Sequence, residues 1–172
     1  VSTPGTEPQL VHLDPATTAV IRGVVPMDRL RDFFDASFRT LALTIDAQRI
    51  VVASPAFCIH HGLPGHGHPE HGLPGHGLPG ENLDLEVGFA TDRAVRPQGD
   101  VVAGSLPGGL VARLTHIGPY DALGASWERL HSWLRAQGLS AGENRWETYV
   151  TRPTPEMDPR ELRTELNWPV AH

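Results

Sequence analysis

The residues with the most chemistry in this sequence are carboxylates and rings that recur at matching places in its two halves. Glu86 lies within Leu85-Glu86-Val87-Gly88-Phe89 and Glu165 within Thr164-Glu165-Leu166-Asn167-Trp168, while Phe57 and His60 precede the first as Trp146 and Tyr149 precede the second. A carboxylate lining a groove pairs with a ligand cation or, where burial raises its pKa, acts as a general base. Strand aromatics beside it stack on planar ligands and contribute ~0.5–2 kcal/mol each. Glu147 shares the strand face of Tyr149, which leaves two roles open: holding the tyrosine hydroxyl or facing the ligand. Regular alternation turns Trp146 away from Tyr149, and Trp168 away from Glu165. Tyr120 closes the run His116-Ile117-Gly118-Pro119-Tyr120, a tight Gly-Pro turn from which it reaches the groove mouth or serves as a structural tyrosine.

Other chemistry is thinner. Cys58 shares a strand face with His60, but a buried inert thiol is the simpler reading than a nucleophile with its base. Six of the ten histidines fall between His60 and His76, where the heptamer HGLPGHG occurs at 61–67 and again at 71–77. His66, Glu70, His68 and His71 are of metal-ligand type. A Gly/Pro-rich loop loses much entropy on ordering, so no metal and no cofactor is assigned. P-loop and HExxH motifs are missing from the sequence, which removes those nucleotide and metalloprotease signatures.

The elements that must position these residues repeat. Ala19–Val24 reads as a strand; Leu30, Phe33, Phe34, Leu41 and Ile45 then fall on one helix face. One strand is expected over the runs Val51–Ala53 and Ala56–Ile59, leading into the Gly/Pro-rich segment, and another at 83–89, where Leu83, Leu85, Val87 and Phe89 alternate with polar residues or glycine. The order recurs with a strand at Leu110–Leu114, a helix carrying Leu123, Trp127, Leu130 and Leu134, and strands at Trp146–Val150 and Leu162–Trp168. This predicts an α+β fold of duplicated β-α-β-β units, 8–94 and 107–170, within a single domain over 1–172. The Gly/Pro-rich segment 62–80 is an insertion in the first unit. Paired about a pseudo-two-fold axis, the antiparallel sheets would carry their helices on one side and a central ligand cleft on the other.

Composition narrows the function. The 172 residues carry 14 basic side chains, all arginine, against 20 acidic ones, for a net charge of −6. That balance, without a basic cluster, argues against a nucleic-acid surface. No apolar run is long enough to span a bilayer, and the first residues lack the pattern of a signal peptide, so a cytoplasmic protein with no membrane partner is expected. A single cysteine excludes an internal disulfide framework.

Three runs taken together, Leu114-Thr115-His116-Ile117-Gly118-Pro119-Tyr120, Trp146-Glu147-Thr148-Tyr149 and Arg163-Thr164-Glu165-Leu166-Asn167-Trp168-Pro169-Val170, resemble the GyrI-like small-molecule-binding family, which also supplies the effector domain of bacterial multidrug-sensing regulators. The segments around Phe57-Cys58-Ile59-His60 and Asn82–Phe89 resemble its first repeat. The resemblance implies a cleft for flat, apolar, often cationic compounds, with the family's cleft glutamate at Glu165 and its strand tyrosine at Tyr149. His60 stands where relatives often carry a tyrosine. The expected function is binding of hydrophobic, aromatic or cationic small molecules. The alternative is a hydrolase that opens cyclopropane-bearing DNA-alkylating natural products, with Glu165 activating water and Tyr149 and neighbouring rings holding the substrate. A third reading is a modulator of DNA gyrase.

Overall fold

The computed structural model describes residues 7–61, 82–142, 144–151 and 156–171. The insertion expected at 62–80 lies outside the described residues. Nine strands, β1 (Gln9–Leu13), β2 (Ala16–Pro26), β3 (Phe57–His60), β4 (Asn82–Ala90), β5 (Val102–Leu106), β6 (Gly109–Ile117), β7 (Ser140–Ala141), β8 (Arg145–Tyr149) and β9 (Arg163–Ala171), accompany two helices, α1 (Leu30–Ala47) and α2 (Leu123–Ala136). The strands form one antiparallel sheet in the order β1-β6-β9-β8-β3-β4-β2-β5, with β7 pairing β9.

That order reads symmetrically from its middle. β8, β9 and β6 on one side of the β3/β8 pair correspond to β3, β4 and β2 on the other, so the duplicated β-α-β-β unit is present in each half. The ladder fixes the correspondence residue by residue: Ile59 pairs with Glu86 as Thr148 pairs with Glu165. Two strands go beyond the sequence expectation. β1 opens the first unit but pairs with β6 of the second, and β5 precedes the second but pairs with β2 of the first. The units thus exchange their leading strands.

Each helix covers its own half, on the same face of the sheet. The apolar stripe of α1 packs Leu41 and Ile45 against Ala19, Ile21, Leu85 and Val87; that of α2 packs Trp127, Leu130 and Leu134 against Ala112, Leu114, Leu166 and Trp168. Burying each such side chain contributes about 1.5–3 kcal/mol. Both helices end in a left-handed residue, Arg49 (φ 53°) and Gly138 (φ 76°), where the next amide bonds back to Ile45 and to Leu134. Only the second half uses the residue such an end favours.

Of the strand expected over Val51–Ala53 and Ala56–Ile59, only the second run forms, as β3. Val52 makes an isolated bridge to Thr91, and Val51 is exposed. The edges of β4 are already taken by β2 and β3, so this segment hydrogen-bonds only to the end of β4 and the turn after it, through Ala90 and Asp92.

Candidate functional site

Between the two helices the floor of the helix face is made by β3 and β8. Their pairing sets Cys58 opposite Glu147 and His60 opposite Arg145, and strand alternation turns these four, with Tyr149, towards the helices. Glu147 is 6% exposed and His60 7%. His60 Nε2 donates to Glu147 Oε1 at 2.8 Å, and the Tyr149 hydroxyl donates to the same oxygen at 3.2 Å. Glu147 Oε2 and His60 Nδ1 are buried with no partner among the described residues. A buried carboxylate oxygen left so is costly, and an incoming donor or cation recovers that cost.

The surrounding groups are held in defined states. Burial, and then the charge of Glu147, pushes the Tyr149 phenol well above its ordinary range, so it is a donor and not a base. The same two causes raise the Cys58 thiol and keep it protonated. Tyr120 is raised for the same reasons. Burial pulls Arg145 down to about 9, which still leaves it a cation at neutral pH.

Rings wall the floor on both sides. Counted from the corresponding strand pairs Arg22/Glu86 and Thr115/Glu165, Phe34 and Trp127 occupy the same step of the two halves, as do Phe38 and His131; along β4 and β9, Phe89 corresponds to Trp168. The contacts repeat accordingly. Phe34 meets Tyr149 edge-on at 6.3 Å as Trp127 meets His60 at 6.4 Å, and Phe38–Phe89 at 5.6 Å matches His131–Trp168 at 5.2 Å. One difference stands out. In the second half the Arg145 guanidinium lies 5.1 Å from the Trp127 ring and 4.6 Å from the Trp168 ring, whereas the corresponding residue in the first half is Ala56. Among the described residues, the first ring cluster carries no cation of its own.

Tyr120 reaches this cleft, with its ring 5.8 Å from that of Tyr149. Gly118 (φ 136°) makes the turn possible, and its amide bonds to the Leu162 carbonyl at 2.8 Å. His116 then pins it, with Nε2 donating to the Pro119 carbonyl at 3.0 Å and Nδ1 meeting the Ser126 hydroxyl at 2.7 Å. Sequence reasoning saw His116 only as part of a motif. Its role follows from a carbonyl and a hydroxyl that the sequence does not place beside it. Arg145 was missed altogether, because nothing in the local pattern distinguishes a buried arginine from a solvated one.

Alternation divides the other expected residues between two faces. Trp168 lies with Tyr149 and Glu147 on the helix face, stacked in the second core. Phe57 and Trp146 lie on the helix-free face, where they pack with Val20, Ile59 and Val111. Glu165 and Glu86 are on that face too. Arg113 pairs with Glu165 at 3.2 Å, and His61 bonds Glu86 at 3.2 Å, with the His61 pKa raised chiefly by that bond. The expectation that Glu165, Glu86, Phe57 and Trp146 share one groove with Tyr149, Glu147 and His60 is therefore corrected. A strand presents neighbouring residues to opposite sides, and the glutamate at the centre of the helix face is Glu147.

This architecture is that of a small-molecule-binding domain, and the chain belongs to the GyrI-like small molecule binding domain family, whose model matches residues 6–171. Among solved structures, the C-terminal domain of EcmrR superposes with a TM-score of 0.77 at 18% identity, over 96% of this chain and 97% of that domain. Against the EcmrR chain in its complex with DNA, the score is again 0.77 at 19% identity, over 95% of this chain but only 57% of the longer one. A hydrolase encoded by lin2189 from Listeria innocua matches at 0.69 and 14% identity, over 98% and 93% of the two chains. SAV2435 bound to tetraphenylphosphonium matches at 0.63 and 13%, over 96% and 94%. Identities this low speak to the fold. No curated protein matches the sequence.

Proposed function

We propose that this protein binds apolar organic cations in the cleft between α1 and α2, against Phe34, Phe38, Tyr120 and Tyr149, with Glu147 as the counter-charge. The observation that carries this reading is the buried Glu147 carboxylate which, among the described residues, has one oxygen unpartnered and lies beside a ring cluster with no cation of its own. Rings supply contact area and a negative face, and the low dielectric of the site strengthens the charge pair. The solved complex of SAV2435 with tetraphenylphosphonium supplies the probe. Tetraphenylphosphonium titrated by tryptophan fluorescence should bind saturably, and Glu147→Gln should weaken it tenfold or more, on the order of the 1.5–3 kcal/mol that charged contacts contribute. Glu165→Gln should leave affinity unchanged. The reverse pattern would move the ligand to the helix-free face and restore Glu165 as its partner.

A second reading is hydrolysis, in which a small molecule in the same cleft is attacked by water. What favours it is the unpartnered Glu147 Oε2, a position from which a carboxylate can take a proton from water while Tyr149, held as a phenol, donates to a developing oxyanion. Turnover of a spirocyclopropyl substrate that is abolished in Glu147→Gln would establish it. Binding without turnover supports the first reading. In both, the partner is a small molecule: the net charge is −6, and no described helix is long and apolar enough to cross a membrane.

A further inference from the structure

We propose that Cys58, His60 and Glu147 form a binding site for one divalent metal ion of the zinc class. Each offers a ligand atom, a thiol sulfur, an imidazole nitrogen and a carboxylate oxygen, and the three lie within 4.8 Å of one another. All three residues are buried. The arrangement follows from the sheet: Cys58 and His60 are two apart on β3 and share a face, and Glu147 is the direct cross-strand partner of Cys58.

Two further observations point to a ligand. His60 Nδ1 and Glu147 Oε2 are buried without a partner among the described residues, on side chains more than nine-tenths buried. His60 Nε2 is the ring nitrogen turned to Glu147, and Glu147 Oε2 is the donor atom left unused on that side. The donor set matches zinc chemistry, in which thiolate, imidazole and carboxylate bind at about 2.0–2.3 Å, so that tetrahedral donors stand roughly 3.5 Å apart. A shift of about an ångström, within reach of a Glu147 rotamer change, would close the set. Cys58 is a poor nucleophile where it stands, but a cation bound beside it displaces the thiol proton outright. Thiolate and carboxylate then balance the two charges of the ion, and three protein ligands leave one coordination position. The nearest competing charge is Arg145, opposite His60 on the ladder and held by Trp127 and Trp168. The site shares Glu147 with the organic-cation cleft, so the two ligands compete for that carboxylate, and the sulfur-to-metal band, which an organic cation cannot give, tells them apart.

The single cysteine makes the test clean. Cobalt(II) is titrated into the full chain carrying His66→Ala, His68→Ala, His71→Ala and His76→Ala, so that the insertion cannot supply the imidazoles. One equivalent should bind and produce a near-ultraviolet sulfur-to-cobalt charge-transfer band together with the visible bands of tetrahedral cobalt. Zinc should bleach both. Because Cys58 is the only thiol, the band itself identifies the ligand, and it should vanish in Cys58→Ser and shift in His60→Asn. Should Cys58→Ser fail to fold, the zinc-reversible band of the parent chain still decides. No charge-transfer band at saturating cobalt, or binding that disappears with the insertion histidines, would overturn the site.

Discussion

The two halves of the molecule share a backbone plan and differ in what fills it. In the second half Trp127, Trp168 and His131 enclose Arg145, so the ring cluster is occupied from within; in the first, Phe34, Phe38 and Phe89 stand at the corresponding places with Ala56 where the guanidinium would be. The positions on the central strands diverge in the same way. By the repeat His60 corresponds to Tyr149, and Cys58 to Glu147. On the proposed function, the duplicated scaffold becomes a site with one side sealed by Arg145 and one side left open to the ligand. The lesson is that symmetry locates a cleft, and its breaking assigns the roles.

The comparison can be broken most forcefully at the helices. Trp127→Ala should destabilise by about 3–5 kcal/mol, the range for emptying a fully buried aromatic position, whereas Phe34→Ala, half-buried, should cost about 1–2 kcal/mol. Equal losses in urea unfolding would mean that the halves are packed alike. Arg145→Ala should open the second cluster, so that calorimetry with tetraphenylphosphonium reports two equivalents in place of one. A stoichiometry still at one would show that the guanidinium is not what separates the sides. For ligand affinity the order of the helices reverses. Phe34→Ala should weaken tetraphenylphosphonium about fivefold, near the 1 kcal/mol of a ring contact, and Trp127→Phe should leave it unchanged in the same titration. At the helix ends, Arg49→Gly should stabilise by about 0.5–1 kcal/mol, since glycine adopts the left-handed conformation without the strain of a side chain, while Gly138→Ala should destabilise.

The smallest effect lies on the helix-free face. Arg22 bonds Asp84 at 2.9 Å and holds its carboxyl below the usual range, but Arg22 is half exposed, so the pair is worth less than about 1 kcal/mol. A depressed carboxyl pKa stabilises above its unfolded value of about 3.9 and loses that contribution as pH falls through the folded value. The difference in melting temperature between the parent chain and Arg22→Ala should therefore be present at pH 6 and close below pH 4.

Much of the fold was legible because its periodicities are strong. The alternation of Leu83, Leu85, Val87 and Phe89 and the stripe of Leu123, Trp127, Leu130 and Leu134 each name a buried face, and both appear in the cores as read. The duplicated architecture was legible from the order of those patterns. Which face of the sheet the helices would cover was not. Alternation says that Glu147 and Tyr149 share a side and that Glu165 takes the other relative to Leu166, but only helix docking decides which side becomes the cleft floor. That is why Glu165, at the more recognisable motif, is expected at the centre of the cleft, whereas the glutamate on the helix face is Glu147. The pairings of β1 and β5 were equally hidden, since a strand's partner a hundred residues away leaves no local mark.

Those two exchanged strands govern how the protein can come apart. Each half receives an edge strand from the other's leading segment, so a chain cut between the units yields two pieces with one sheet edge bare and one strand lacking its partner. Neither piece is a self-sufficient ancestor. Mixed in solution, the pieces should find each other, because each holds the strip that the other lacks. In the intact protein, loosening at either end of the sheet is felt by both halves at once, which makes the open side and the sealed side a single cooperative object.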